Sequence, residues 1–106
     1  MPLPPQLSPD QRKAALHKAA SARRQRAELK EKLKMGSITL QELLDQGERD
    51  EVVSKMKVVA VLESLPGVGK VKARRLMEEV GISDTRRVQG LGNKQVEKLF
   101  EKLASA

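Results

Sequence analysis

Two glycines one residue apart, set between two amphipathic segments, constrain this chain more than any other stretch: Leu65-Pro66-Gly67-Val68-Gly69-Lys70-Val71-Lys72-Ala73-Arg74-Arg75. Val58, Val61, Leu62 and Leu65 precede the pair at helical spacing, and Val71, Ala73, Leu76, Met77 and Val80 follow it. Pro66 should end the first helix, because its ring clashes with a helical backbone and its nitrogen carries no hydrogen. Gly67 and Gly69 open dihedrals closed to other residues and leave the main chain bare. The next helix starts at once, so its unpaired N–H groups point out of the turn, a setting that suits a phosphate. Lys70, Lys72 and Arg74 follow within a turn and a half. The pattern predicts a helix–hairpin–helix that grips a nucleic-acid backbone, with Pro66, Gly67, Val68, Gly69, Lys70, Lys72 and Arg74 at the contact.

Charge and composition narrow the partner. A net charge of +7 on 106 residues favours an acidic polymer. Phe100 is the only aromatic residue, so bases have almost nothing to stack on; a duplex held by its phosphates needs no rings. The chain has no cysteine and a single histidine, His17, which excludes thiolate metal sites and argues against histidine clusters and a Ser-His-Asp arrangement. No apolar run approaches the roughly 20 residues of a membrane span, and no charged-then-apolar leader is present, so a cytoplasmic, nucleoid location is expected.

Ser8-Pro9-Asp10-Gln11 is a helix start with a capping box and a proline at the first position, and nothing breaks the helix before Gly36. Such a helix would be about 40 Å long, against a radius of gyration near 13 Å for a globule of this length, so it should overhang the body. Between Arg12 and Lys34 it carries nine basic residues against Glu28 and Glu31. Arg12, Arg23, Lys30 and Lys34 share one face, with Arg26 at its edge, and form a second candidate surface. Leu29 and Leu33, on a thinner stripe with Ala15 and Ala22, should dock the helix.

Thr39 and Glu42 form a second capping box, and the helix they open should stop at Gly47. Asp50 can cap a further short turn through Val53. Three basic residues against six acidic between Met35 and Ser64 suggest scaffold turned away from the nucleic acid. Leu40, Leu43, Leu44, Val52, Val53 and Met56 should enter the core, and Met35, Met56 and Met77 read as core fillers. Gly81 reads as the C-cap of the helix from about Gly69 to Val80. Ser83 or Asp84 can then cap a turn carrying Arg86 and Arg87. A second glycine pair, Gln89-Gly90-Leu91-Gly92-Asn93-Lys94, repeats the first with one residue inserted before the lysine. The last helix, from about Asn93 to Leu103, should bury Val96, Leu99, Phe100 and Leu103. The position of Arg86 and Arg87 between the two hairpins makes them candidates for a phosphate or minor-groove contact.

Two nucleotide-binding motifs are rejected. A phosphate loop needs a glycine where Ser64 stands and a hydroxyl residue where Val71 stands. A dinucleotide fingerprint needs a preceding strand, and this segment reads as helix. Glu78 and Glu79 are adjacent on a helix and diverge, so they are not a catalytic carboxylate pair.

These residues resemble the actinobacterial-type integration host factor family. The likeness rests on Ser8-Pro9-Asp10-Gln11-Arg12, Ala22-Arg23-Arg24, Lys55-Met56-Lys57-Val58, the first hairpin, and Arg86-Arg87-Val88-Gln89-Gly90-Leu91-Gly92, and spans about Leu3 to Leu103. The resemblance implies an all-helical body with a helix-two-turn-helix module, and a nucleoid-associated protein that binds duplex DNA with little sequence preference. It implies bending or compaction of DNA, an influence on supercoiling, and assistance to an integrase. Carried over, Pro66, Gly67, Gly69, Lys70 and Lys72 would lie on the backbone, and Arg86, Arg87, Asn93 and Lys94 would form an adjoining contact or lid. Members of the family often carry arginine where this chain has Gln89, so one such contact should be neutral or missing here.

The expectation is therefore an all-α protein: an extended lead-in over 1–7, a long basic helix over 8–35, and a helical DNA-binding domain over 36–106. It should act as a monomer on double-stranded DNA, with no cofactor, metal or catalysis and no membrane contact, and with integrase or other nucleoid proteins as further partners. Structured RNA of ribosomal type is the alternative ligand. A glycosylase with Pro2 as amine nucleophile is a more distant one, since Leu3 replaces the acidic neighbour that chemistry requires and no base-holding pocket is evident.

Overall fold

A computed structural model describes residues 8–104; the lead-in expected over 1–7, with Pro2, Leu3 and Pro4, lies outside them. Six helices follow one another: α1 (Pro9–Met35), α2 (Leu40–Gly47), α3 (Glu51–Ser54), α4 (Val58–Glu63), α5 (Gly69–Val80) and α6 (Asn93–Ala104), with a 3-10 turn at Val88–Gly90 before α6. Among the described residues there is no strand, only an isolated antiparallel bridge between Lys57 and Arg87.

Local chemistry accounts for the boundaries. Both halves of the α1 capping box form: the Gln11 amide donates to Ser8 Oγ at 3.1 Å, and the Ser8 amide donates to Gln11 Oε1 at 2.9 Å. Thr39 and Glu42 repeat the device at α2. The Asp50 carboxylate caps α3 by accepting from the Val52 amide at 2.9 Å. Gly36 and Gly81 end α1 and α5 in the left-handed conformation, at φ 76° and 84°.

The core is one cluster. Leu29 and Leu33 of α1 meet Leu40, Leu43, Val53, Met56, Val58, Val61 and Leu62, and α5 and α6 add Ala73, Leu76, Met77, Val80 and Leu99. Burying a leucine such as Leu33 stabilises by about 1.5–3 kcal/mol, so Leu29 and Leu33 supply the main apolar part of the docking of this long helix by one end. Its other half projects: every residue from Ser8 to His17 is exposed. The radius of gyration is 16.5 Å and the longest extent 53 Å, well beyond a compact globule of this length.

Three core expectations, at Met35, Val52 and Val96, are corrected, and Val71 lies outside the buried face of its helix. Met35 is 71% exposed, because it is the last residue of α1 and the chain turns away at Gly36. Val71 is 75% exposed: α5 buries Ala73, Leu76, Met77 and Val80, an i, i+3, i+4, i+7 register that leaves 71 outside. Val52 and Val96 are half-buried rather than core. Conversely, the loop after α5 supplies Ile82 and Val88 to the core, at 5% and 8% exposure.

A polar latch fixes the middle of α1. Gln25 Nε2 donates to Asp50 Oδ2 at 2.5 Å, and Gln46 Nε2 reaches the same oxygen at 3.4 Å. Burial pushes the Asp50 carboxyl up, but the bonds from Gln25, the Val52 amide, Gln46 and the Val53 amide together outweigh it and hold it below its ordinary value.

Candidate nucleic-acid interface

The hairpin forms where α4 runs out. Ser64 Oγ donates to the Ala60 carbonyl at 2.8 Å, and the Val68 amide donates to the Leu65 carbonyl at 3.2 Å. Gly67 and Gly69 stand at φ 75° and 70°, with no heavy atom within 4 Å of where a Cβ would sit. The backbone's handedness, not a lack of room, requires glycine there. Val68 between them packs against the core, and no side chain caps the start of α5. Its first amides therefore face outward beside exposed Pro66, Gly67, Gly69 and Lys70.

Across from the hairpin stands α1. A cleft of about 770 Å³ has residues 64–70 as one wall and Ala27, Lys30, Glu31 and Lys34 as the other, with Ala60 and Glu63 between. A second cleft, of about 370 Å³, is lined by Arg26, Lys30, Lys55, Met56, Lys57, Ala60 and Arg87. Lys30 and Ala60 line both. The two clefts are thus one trough along α1, with Arg26, Lys30, Lys34, Lys55, Lys57, Lys70 and Arg87 set against Glu31 and Glu63. Of the helical stripe read from sequence, Arg26, Lys30 and Lys34 join the hairpin in a single surface. Arg23 is exposed but lines neither cleft, and Arg12 lies on the projecting turns.

Lys55 and Lys57 belong to the segment 35–64, expected as scaffold facing away, yet they line the same trough as Arg26, Lys30 and Arg87. The Val58 amide donates to the Arg86 carbonyl, and the Val88 amide to the Met56 carbonyl, each at 2.9 Å. This short extended pairing turns Met56 and Val88 into the core and leaves Lys57 and Arg87 exposed, side by side. The alternation Lys55-Met56-Lys57 was the available signal. Lys55 also pairs with Glu51 at 2.6 Å, and that hydrogen bond, with the charges of Lys55 and Lys18, holds the Glu51 carboxyl below its ordinary value.

Arg86 and Arg87 do not share a role. Arg87 is exposed on the trough, whereas Arg86 is half-buried and donates from its guanidinium to the Gly90 carbonyl at 2.9 Å. The second glycine pair does not repeat the first. Positive φ is confined to Gly36, Gly67, Gly69 and Gly81 among the described residues. Gly90 is instead overlain by Arg86, whose Cδ would lie 2.9 Å from an added Cβ. Gly92 precedes α6, where Gln95 accepts from its amide at 3.0 Å and donates to the Gly81 carbonyl at 3.2 Å.

The remaining candidates lie elsewhere. Asn93 and Gln89 line a separate groove with Asp45, Glu48 and Glu97. An arginine at position 89 would therefore face carboxylates, and Gln89 removes no charge from the trough. Lys72 lines a hollow with Val71, Arg75 and Glu79, and Arg74 and Lys94 are exposed. Among the described residues no cluster of three or more His, Cys, Asp or Glu side chains could hold a metal ion. No described helix is long and apolar enough to cross a membrane.

Residues 33–103 match the family described as S13-like H2TH domain. The integration host factor of Streptomyces coelicolor is 55% identical over 105 residues, which cover 99% of this chain and 97% of that protein. That of Mycobacterium tuberculosis is 57% identical over 102 residues, covering 96% and 97%. A solved structure of sIHF bound to an 8-base-pair palindromic DNA superposes with a TM-score of 0.78 at 53% identity, covering 81% of this chain and 97% of that one.

Proposed function

Because the chain belongs to the integration host factor family, with an S13-like H2TH domain, we propose that it binds duplex DNA as an architectural protein of the nucleoid, through the backbone and without catalysis. One observation carries this reading: Lys30 lines both the hairpin cleft and the Arg87 cleft, so α1 and the hairpin present one continuous cationic trough. The amides opened by Gly67 and Gly69 would hold one phosphate, and Lys70, Lys30, Lys34, Lys57 and Arg87 would neutralise its neighbours. That a relative of the same fold was solved on a short DNA supports the choice of a duplex.

The trough argues for bending. A rigid helix set against a hairpin neutralises phosphates on one side of a duplex, and one-sided neutralisation favours curvature toward the protein. Compaction, an effect on supercoiling and help to an integrase would follow from that curvature.

The test is the salt dependence of binding. If about six phosphates are engaged, log K falls with log salt at a slope of roughly −5. Lys30→Ala with Arg87→Ala should flatten the slope by about two and weaken unrelated duplex sequences alike. A flat salt response, or a loss confined to one sequence, would contradict the reading. The cationic trough would also fit the phosphates of structured RNA; competition between duplex DNA and ribosomal RNA separates the two.

A further inference from the structure

The groove between α2 and α6 has no role in the trough, and its chemistry is the reverse. It measures about 530 Å³, with Leu44, Leu91 and Val96 on its floor and Asp45, Glu48 and Glu97 at its rim. No basic side chain lines it. Its counterpart is on the same molecule. The projecting turns of α1 carry Leu16, 64% exposed, with Arg12 and Lys13 one turn before it and Ala19 and Ala20 one turn after. A leucine between cations and small residues matches an apolar floor under carboxylates better than it matches a phosphate backbone, which has no use for the leucine.

We propose that the α2–α6 groove receives the projecting turns of α1 from a second copy of this chain, so that copies bound along one duplex join head to tail. The helix cannot serve its own groove. α1 is docked on α3 and α4 through its C-terminal half, and Leu16 sits about 20 Å along the same unbroken helix from Leu29. Since knob and groove are different surfaces, the contact is head to tail and leaves a free knob at one end and a free groove at the other, so further copies can add along the DNA. Exposed rim charges contribute little each, so free copies stay apart, and the duplex supplies the local concentration that brings them together.

This inference rests on the duplex-binding reading, and the test separates the two. The chain has no cysteine, so Leu16→Cys and Val96→Cys each introduce a single thiol. The full-length variants are mixed on a duplex long enough for several copies and on one that holds a single copy, then oxidised mildly. The mixed disulfide dimer should form about tenfold more on the long duplex than on the short one, and exceed both self-dimers. Independently, Glu48→Lys with Glu97→Lys should abolish cooperative binding on the long duplex, and adding Arg12→Glu with Lys13→Glu should restore it. Mixed dimers no more abundant than self-dimers on bound long duplex would overturn the proposal. So would Arg12→Glu with Lys13→Glu weakening the single-copy complex while cooperativity stays unchanged, which would put these turns on DNA instead. Failure to bind the single-copy duplex at all would count against the duplex reading.

Discussion

The chain contains two glycine–apolar–glycine turns, and they fold differently. Gly67 and Gly69 adopt positive φ with open space around them, and the amides beyond them are uncapped. Gly90 and Gly92 keep ordinary φ. Arg86 lies across the first of these, and Gln95 satisfies the amide of the second. One turn leaves its backbone groups open to a ligand; the other has used them internally. The same letters therefore do not mark the same device. What separates them is whether a neighbouring side chain has already taken the hydrogen bonds.

Substitution at the first pair should give the largest effect. Gly67→Ala with Gly69→Ala forces two Cβ atoms into the left-handed region and should cost about 2 kcal/mol in urea unfolding, after the gain from a stiffer unfolded chain. Duplex affinity should fall about tenfold or more, as expected when charge-assisted hydrogen bonds are lost. Gly90→Ala should cost about 1 kcal/mol by displacing Arg86, and Arg86→Ala should add little on top, a coupling that a double-mutant cycle reads directly. If the two losses simply add, Arg86 is not what closes the second turn.

Acid should distinguish the turns next. The Asp50 carboxyl is more acidic in the folded chain than in the unfolded one. Its stabilisation is therefore complete above its ordinary value of 3.8 and lost as pH falls below that. Amides near Gln25 should exchange faster in that window, loosening the α1 wall opposite the first turn while the second keeps its protection. Asp50→Asn should show the same loosening near neutral pH. The smallest effect belongs to Gly92→Ala, whose added Cβ meets only Gln95 Oε1 at 3.7 Å; stability should change by less than about 0.5 kcal/mol. A larger loss would mean that the second pair needs glycine as much as the first.

Much of this architecture was legible in the residues. Ser8–Gln11, Thr39–Glu42 and Asp50 cap helices through side chains three residues apart or fewer, and Leu29 with Leu33 marks the docking end of α1 by local period. The first hairpin was legible because Pro66 and two glycines act on their own backbone. The trough was not. It depends on α1 coming to rest beside α4 and on residues 56–58 pairing with 86–88, contacts between segments about 30 residues apart. Lys55 and Lys57 were hidden by the acidic average of their segment, and the closed state of Gly90 by a side chain four residues away. A residue's face on a helix follows from spacing; which other helix that face meets does not.

The central claim is that α1 and the first hairpin act as one surface, and titration with a short duplex followed by amide chemical shifts tests it most directly. The account predicts that amides of residues 66–70, of Arg26 to Lys34, and of Lys57 and Arg87 move together along one binding curve. Hairpin amides that stay still, or two groups that saturate at different DNA concentrations, would contradict it.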